Sequence, residues 1–143
     1  NPFAAAYARV MGDSRLVCST TDAAIRAVAA GSTVYMYNFD IPVPATVSPV
    51  LGASHGAELT SVFGTSPAFT EEAKAASEMI QRYWTNFAKT GNPNGGDDLE
   101  WPARTASSDV RINLAFESTI VDDFRAAECE FWRAGYARQF PAP

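Results

Sequence analysis

The longest regular hydrophobic pattern in the chain runs from residue 70 to residue 90. Apolar side chains recur there at the three- and four-residue spacing of one helix face, at Ala76, Met79, Ile80, Tyr83, Trp84 and Phe87. Thr70 precedes two acidic residues, which is typical of a helix N-terminus, and Gly91 follows the last periodic position. The pattern therefore predicts an amphipathic helix that begins after Thr70 and ends at Gly91.

Weaker patterns predict helices near both ends of the chain. Residues 3–11 form a short helix that ends near Gly12, and residues 21–30 form another, with Thr21 or Asp22 as N-cap and Gly31 as the stop. A last helix is expected to begin at Asp122 or Asp123. The residues on one face of that helix are apolar: Phe124, Ala127, Phe131 and Trp132.

Two segments have the composition of strands. Residues 33–39 are β-branched and aromatic with few charges, which predicts a buried strand, and residues 111–116 alternate polar and apolar, which predicts a half-buried one. Three prolines make residues 40–51 a loop, and Trp101 is expected to re-enter the core. The order of elements indicates the α/β class. Two strands are too few for an independent sheet, so a missing portion is expected to complete it.

Composition and charge narrow the function classes. The chain has 143 residues, of which 47% are hydrophobic and 19% charged, as in a single globular domain. A net charge of -5 makes nucleic acid an unlikely ligand. No apolar run is long enough to cross a bilayer. The first residues lack a signal peptide, so either one has been removed or the chain starts internally.

The two cysteines, Cys18 and Cys129, lie far apart and have no neighbouring histidine. This spacing does not indicate zinc, and clustered ligands for any other metal are absent from the sequence pattern. Two interpretations stay open from the residues alone. The cysteines are either buried free thiols of a cytosolic protein or a single long-range disulfide formed in an oxidising compartment.

The sequence contains one histidine, His55, in a glycine-containing segment over residues 52–59. Histidine titrates nearest to neutral pH and is the usual general acid and base, although a lone histidine is often simply packed or exposed at the surface. The segment also fits the Gly-x-Ser-x-Gly pattern of a nucleophile elbow around Ser54. We reject Ser54 as a nucleophile because a proline-rich loop precedes it, and because adjacent side chains such as those of Ser54 and His55 usually diverge.

Residues 52–64, GASHGAELTSVFG, carry a family pattern of Gly-x-x-His-Gly-x-Glu-Leu/Ile followed by a spacer and Phe-Gly. The matching positions are Gly52, His55, Gly56, Glu58, Leu59, Phe63 and Gly64. Further matching segments are residues 31–39, 79–93, 101–102 and 129–132. In these motifs the chain resembles the type B carboxylesterases, the cholinesterase-like branch of the α/β-hydrolases. The resemblance implies that residues 1–143 are the C-terminal part of one α/β-hydrolase domain.

The resemblance implies a role for each residue of the loop. His55 is the catalytic histidine of a Ser-His-acid triad, and Gly56 keeps the backbone close to the helix of the serine. Glu58 is a buried carboxylate behind the active site and not the triad acid, with the N-cap of the following turn as its alternative role. Ala57 replaces a larger substrate-facing residue of cholinesterases, which argues for a wider pocket and against choline specificity. Val47 is expected to line the same pocket.

The resemblance also implies what this chain lacks. The serine and the acid lie upstream in the family, so the isolated chain is expected to be inactive and to associate with the N-terminal portion of the enzyme. The substrate is a small carboxylic ester, and no cofactor is implied. Cys18 and Cys129 match a family disulfide, which implies a secreted or periplasmic protein. The alternative function is a non-catalytic adhesion module of the same fold. Whether the chain was cut from a longer protein, made deliberately, or belongs to a nicked enzyme stays open.

Overall fold

The computed structural model describes residues 2–48, 52–65 and 70–139. Its helices are α1 (Pro2–Gly12), a π-helical segment (Asp13–Val17), α2 (Cys18–Ala29), α3 (Leu59–Val62), α4 (Glu71–Thr90) and α5 (Ala126–Gln139). Its strands are β1 (Tyr37–Phe39), β2 (Arg111–Leu114) and β3 (Thr119–Val121). None of the helices in these residues is both long enough and apolar enough to pass through a bilayer.

The chain divides into two compact units. The helical unit contains the described residues of Asn1–Val34, Ala103–Val110 and Asp122–Pro143. The sheet unit contains the described residues of Tyr35–Pro102 and Arg111–Val121. His55 and the strong amphipathic helix belong to the sheet unit, whereas both cysteines belong to the helical unit.

The first helices of the helical unit are continuous. Gly12 has helical dihedrals, φ -62° and ψ -49°, so the predicted break there is wrong. The predicted N-cap at Thr21 or Asp22 is also wrong, because α2 begins at Cys18 and the Thr21 hydroxyl donates to Val17 O within the helix, at 2.9 Å. The predicted stop is confirmed. Gly31 has φ +86° and its N–H donates to Val28 O, which closes the last turn.

The last helix begins later than its sequence predicts. Asp123 has φ 52° and Arg125 has φ 59°, both in the left-handed region, and α5 starts only at Ala126. A residue with positive φ cannot serve as an N-cap, which requires extended backbone, so the prediction of Asp123 is wrong, and Asp122 is separated from the helix. The predicted apolar face is only partly covered, since Phe131 is 69% exposed.

A disulfide joins α2 to α5. Cys18 and Cys129 are bonded and both side chains are buried, which confirms the pairing that the resemblance implies. Polar contacts support this connection. Arg125, directly before α5, forms a bidentate ion pair with Asp13 of the π-helical segment. Arg133 of α5 pairs with an aspartate of α2 at 2.7 Å.

The described residues of the sheet unit contain a sheet with strand order β1-β2-β3. β1 is parallel to β2, with Tyr37 opposite Ile112, and β2 is antiparallel to β3. The predicted strand over residues 33–39 is shorter, because only its last three residues join the sheet. The strand predicted over residues 111–116 forms but ends at Leu114, and the predicted half-buried pattern is wrong because Arg111 is buried together with Ile112 and Leu114. The sequence analysis missed β3.

Helix α4 packs on this sheet and forms the core of the unit. The Thr70 hydroxyl accepts a hydrogen bond from Ala73 N at 3.2 Å, and Gly91 has φ 75°, so both predicted ends of the helix are confirmed. Trp101 also enters the core as predicted, and its indole N–H donates to Met36 O at 2.9 Å. The core residues come from both sides of this interface: Ile41, Ala76, Ile80, Tyr83, Trp101, Ile112 and Leu114.

Candidate active site around His55

His55 opens a run of turns that leads into α3. The Ala57 N–H donates to Ser54 O at 2.9 Å, and the Leu59 N–H donates to Gly56 O at 3.3 Å. These bonds satisfy backbone groups of the turn locally, without a neighbouring strand. The side chain of His55 is exposed. The turn therefore presents the imidazole at the surface of the sheet unit, where another group can approach it.

Two glycines give the histidine segment its backbone path. Gly52 has φ 53° and Gly56 has φ 87°, a region that is costly for any residue with a Cβ. A Cβ at Gly56 would meet nothing within 4 Å, so its requirement is the dihedral angle and not the space around it. The close approach of Gly56 to the helix of the serine stays a prediction. The positive φ angle of the turn is by itself a sufficient reason for glycine at this position.

Glu58 occupies the N-cap position of α3, but its side chain makes no capping hydrogen bond. Its negative charge instead contributes to a pKa shift of Tyr37 in β1. Burial, and after it the negative charge of Glu58, raises the pKa of the Tyr37 hydroxyl. Glu58 is half-buried. The role of Glu58 as a buried carboxylate behind the active site stays a prediction.

Tyr37 is a site residue that the sequence analysis missed. Its ring packs edge-on against Trp84 with centroids 5.2 Å apart and against Trp101 with centroids 6.1 Å apart. The ring thus packs against two tryptophans, and the charge of Glu58 contributes, after burial, to raising the pKa of its hydroxyl. No spacing in the sequence signals this electrostatic link between Tyr37 and Glu58.

Helix α3 is fastened to α4 by a buried hydrogen bond. The Ser77 hydroxyl donates to Ser61 O at 2.6 Å, and the two residues are 1% and 3% exposed. The Gln81 amide donates in turn to Ser77 Oγ at 3.1 Å. Because α3 directly follows the turn of His55, this contact anchors the turn to the longest helix of the unit. The sequence analysis missed it as well.

The two residues predicted to line the ester pocket lie in different surroundings. Ala57 is half-buried within the turn, whereas Val47 is 65% exposed in another turn, where its N–H donates to Pro44 O. The loop that carries Val47 reaches the histidine segment through a Val43 N–H to Gly52 O bond of 2.9 Å. A groove of about 840 Å³ is lined by α1 and α5 residues in the helical unit and includes neither of them. Their pocket role stays a prediction.

Ser54 lacks the surroundings of a nucleophile elbow. Residues 52 and 53 form a bend and residues 55–58 form turns, so neither a strand nor a helix adjoins the serine within these positions. Residues 49–51, the end of the predicted loop, lie outside the described residues. The described ranges bring together no group of three His, Cys, Asp or Glu side chains that could hold a metal ion.

A comparison with known protein families matches most of the chain. The model of the carboxylesterase family matches residues 2–132. The chain belongs to the carboxylesterase family. Membership implies the α/β-hydrolase fold, and the mixed sheet packed against α4 is consistent with it. The C-terminal position of this portion within the fold stays a prediction.

This carboxylesterase-family chain is similar to curated esterases of several animals. It is 31% identical to acetylcholinesterase 1 of Caenorhabditis elegans and 34% identical to acetylcholinesterase of Bungarus fasciatus, over 88% and 86% of its own length. It is 36% identical to carboxylesterase 4A of Bos taurus over 85% of its length. The matched region is only 22–23% of these relatives, so the chain spans about a quarter of their length.

Proposed function

We propose that this chain supplies the catalytic histidine of a serine carboxylic ester hydrolase. His55 takes the proton of the nucleophilic serine and later gives it to the leaving alcohol. The observation that carries the proposal is the exposed imidazole of His55 on a turn held by α3 and α4. A general base must be accessible and fixed at the same time, and this turn offers both properties.

The serine and the triad acid are proposed to come from the upstream portion of the same enzyme. The strand order supports such a partner, because β1 lies at the end of the described sheet and pairs there only with β2. An unpaired edge of a parallel strand is a site for another strand. Glu58 is not proposed as the triad acid, since its carboxylate acts on Tyr37.

The proposed substrate is a small carboxylic ester. Acetylcholinesterases and a carboxylesterase are among the similar proteins. Ala57 leaves more room than the larger residue of cholinesterases, which favours a less selective pocket without choline specificity. We propose a secreted or periplasmic location, because the buried Cys18–Cys129 disulfide persists in oxidising compartments.

The test is ester hydrolysis by the complete enzyme with His55→Ala. We expect kcat for an aryl ester to fall by at least about 10³-fold, because a triad without its base retains only residual catalysis. The control is Ser54→Ala on the adjacent residue, which should keep near-normal turnover. Normal turnover in His55→Ala, or loss of turnover in Ser54→Ala, would overturn the assignment.

The alternative is an adhesion module without catalysis. It predicts that the unaltered complete protein fails to hydrolyse aryl esters and that a phosphonate ester, which phosphonylates triad serines with loss of its leaving group, does not label it. The proposed esterase is labelled, and the label requires His55. The isolated chain should be inactive under either function, because a base without a nucleophile or an oxyanion hole gives little catalysis.

A further inference from the structure

Within the described part of the chain, a buried hydroxyl on α4 has one hydrogen-bond partner outside its own helix. Ser77 is 1% exposed, in the middle of the face that packs on the core, yet it is polar. Its hydroxyl donates to Ser61 O at 2.6 Å. An apolar residue at such a position would normally gain more from burial than serine does. The hydroxyl therefore contributes to the contact between α3 and α4 through this hydrogen bond.

The acceptor carbonyl belongs to the first turn after the histidine segment. Ser61 N and Val62 N both donate to Glu58 O at 2.9 Å, which joins α3 rigidly to the turn. Ser61 O also accepts from Gly64 N at 3.4 Å and from the N–H of Phe63, both in the chain directly after it. The bond of 2.6 Å from Ser77 is shorter than the bond from Gly64, and it is the one that links this carbonyl to α4.

Gln81 sets the direction of the serine hydroxyl. Its amide donates to Ser77 Oγ at 3.1 Å and to Ser77 O at 3.3 Å. Because Oγ accepts from Gln81, its own hydrogen is directed to Ser61 O. Two consecutive hydrogen bonds therefore link half-buried Gln81 of α4, through the Ser77 hydroxyl, to Ser61 O of α3.

We propose that Ser77 is a positioning residue that holds His55 in its catalytic geometry through the buried bond to Ser61 O. The inference rests on the proposed function of His55 and adds a specific support for it. Catalytic groups need placement to within a fraction of an ångström, and a misplacement of about 1 Å costs on the order of 10²-fold in rate. Loss of the bond lets α3 move on α4 and carries His55 with it.

The test compares Ser77→Ala with a matched variant, Thr21→Val, in the complete enzyme. Thr21 is also a buried hydroxyl that donates to a backbone carbonyl, at 2.9 Å, but it lies in α2 of the helical unit. Both variants should lower the unfolding midpoint. We expect Ser77→Ala to lower kcat by roughly 10-fold to 100-fold with KM changed less than about twofold, and Thr21→Val to leave both unchanged.

Two further variants keep the proposal testable if Ser77→Ala does not fold. Ser77→Thr retains the hydroxyl and should restore most of kcat. Gln81→Met removes the donor that orients the hydroxyl at a half-buried position, and it should lower kcat in the same direction by a smaller factor. A value of kcat within twofold of the unaltered enzyme in Gln81→Met, when Ser77→Ala does not fold, would overturn the proposal.

The outcomes separate this inference from the proposed function. If His55→Ala retains full turnover, the proposed function fails and the inference fails with it. If His55→Ala is inactive while Ser77→Ala keeps kcat, the function stands and the positioning role is wrong. Equal losses of kcat in Ser77→Ala and Thr21→Val would also overturn the inference, because they would reflect general destabilisation.

Discussion

Removing the Cys18–Cys129 disulfide should destabilise the protein strongly. The bond closes a loop with a sequence separation of 111 residues. In the chain-entropy model such a loop restricts the unfolded state by about 5 kcal/mol at 25 °C, an upper figure because residual structure reduces it. Domains are stable by only 5–15 kcal/mol in general, so this bond represents a large share.

The folded structure should stay intact without the disulfide. Arg133 with Asp22 joins the same helices as the disulfide, and Arg125 with Asp13 joins the segments directly before them. These contacts keep α5 docked, so the variant Cys18→Ala/Cys129→Ala should fold to the same structure. The loss of stability then comes mainly from the greater conformational entropy of the unfolded chain. We expect the free energy of unfolding to fall by about 2–5 kcal/mol.

The assay is urea unfolding with pulse proteolysis, which reads the folded fraction. The double variant is compared with the unaltered protein, each with and without a reductant. Reductant should lower the midpoint of the unaltered protein to that of the double variant and leave the variant itself unchanged. A loss below about 1 kcal/mol, or an equal effect of reductant on both proteins, would refute the loop-closure argument.

Three further predictions concern single side chains. Burial, and after it the charge of a nearby aspartate, raises the pKa of Tyr83 from 10.0 to about 12. The contribution of the protonated Tyr83 to the free energy of unfolding is therefore complete below pH 10 and lost as the pH rises to about 12. Unfolding measured across this pH range should not show the loss in Tyr83→Phe. Glu58→Gln should lower the pKa of Tyr37, measured by ultraviolet titration against Tyr37→Phe. Gly56→Ala, at φ 87°, should cost about 1 kcal/mol in thermal unfolding, whereas Gly12→Ala in helix α1 should stabilise by a similar amount.

Local signals made the strong helix predictable from the sequence. Thr70 and Gly91 lie at its ends, and both act through their immediate neighbours, one as an acceptor for Ala73 N and the other through its positive φ. Gly31 ends α2 by the same local mechanism. Such signals need no knowledge of the rest of the fold, which is why these boundaries are confirmed.

The wrong boundaries depend on distant residues. The helix continues past Gly12 into a π-helical segment whose Asp13 pairs with Arg125, a residue 112 positions away. Asp123 and Arg125, directly before α5, have positive φ, so Asp123 cannot cap the helix. β3 is only three residues long and becomes a strand by pairing with β2. No local pattern encodes these partners.

The same distinction applies to the candidate site. The sequence identified His55 because the chemistry of a lone histidine and the loop motif are both local. Tyr37 and Ser77 were missed because their links to the loop are tertiary: the charge of Glu58 contributes, after burial, to raising the pKa of Tyr37, and the Ser77 hydroxyl donates to Ser61 O. A motif therefore predicts the reacting group, whereas the residues that hold it depend on which elements the fold brings together.

Because the chain divides into two units, separate variants should change its stability and the proposed catalysis by His55. The disulfide and the ion pairs around it are internal to the helical unit, whereas His55, α3 and Ser77 are internal to the sheet unit. Removing the disulfide acts on the unfolded state and leaves the contact between Ser77 and Ser61 intact. The folded double cysteine variant should therefore keep the kcat of the unaltered enzyme at a lower urea midpoint, while Ser77→Ala should lose kcat in the folded state itself. A matching loss of kcat in the folded cysteine variant would show that the placement of His55 also depends on the helical unit.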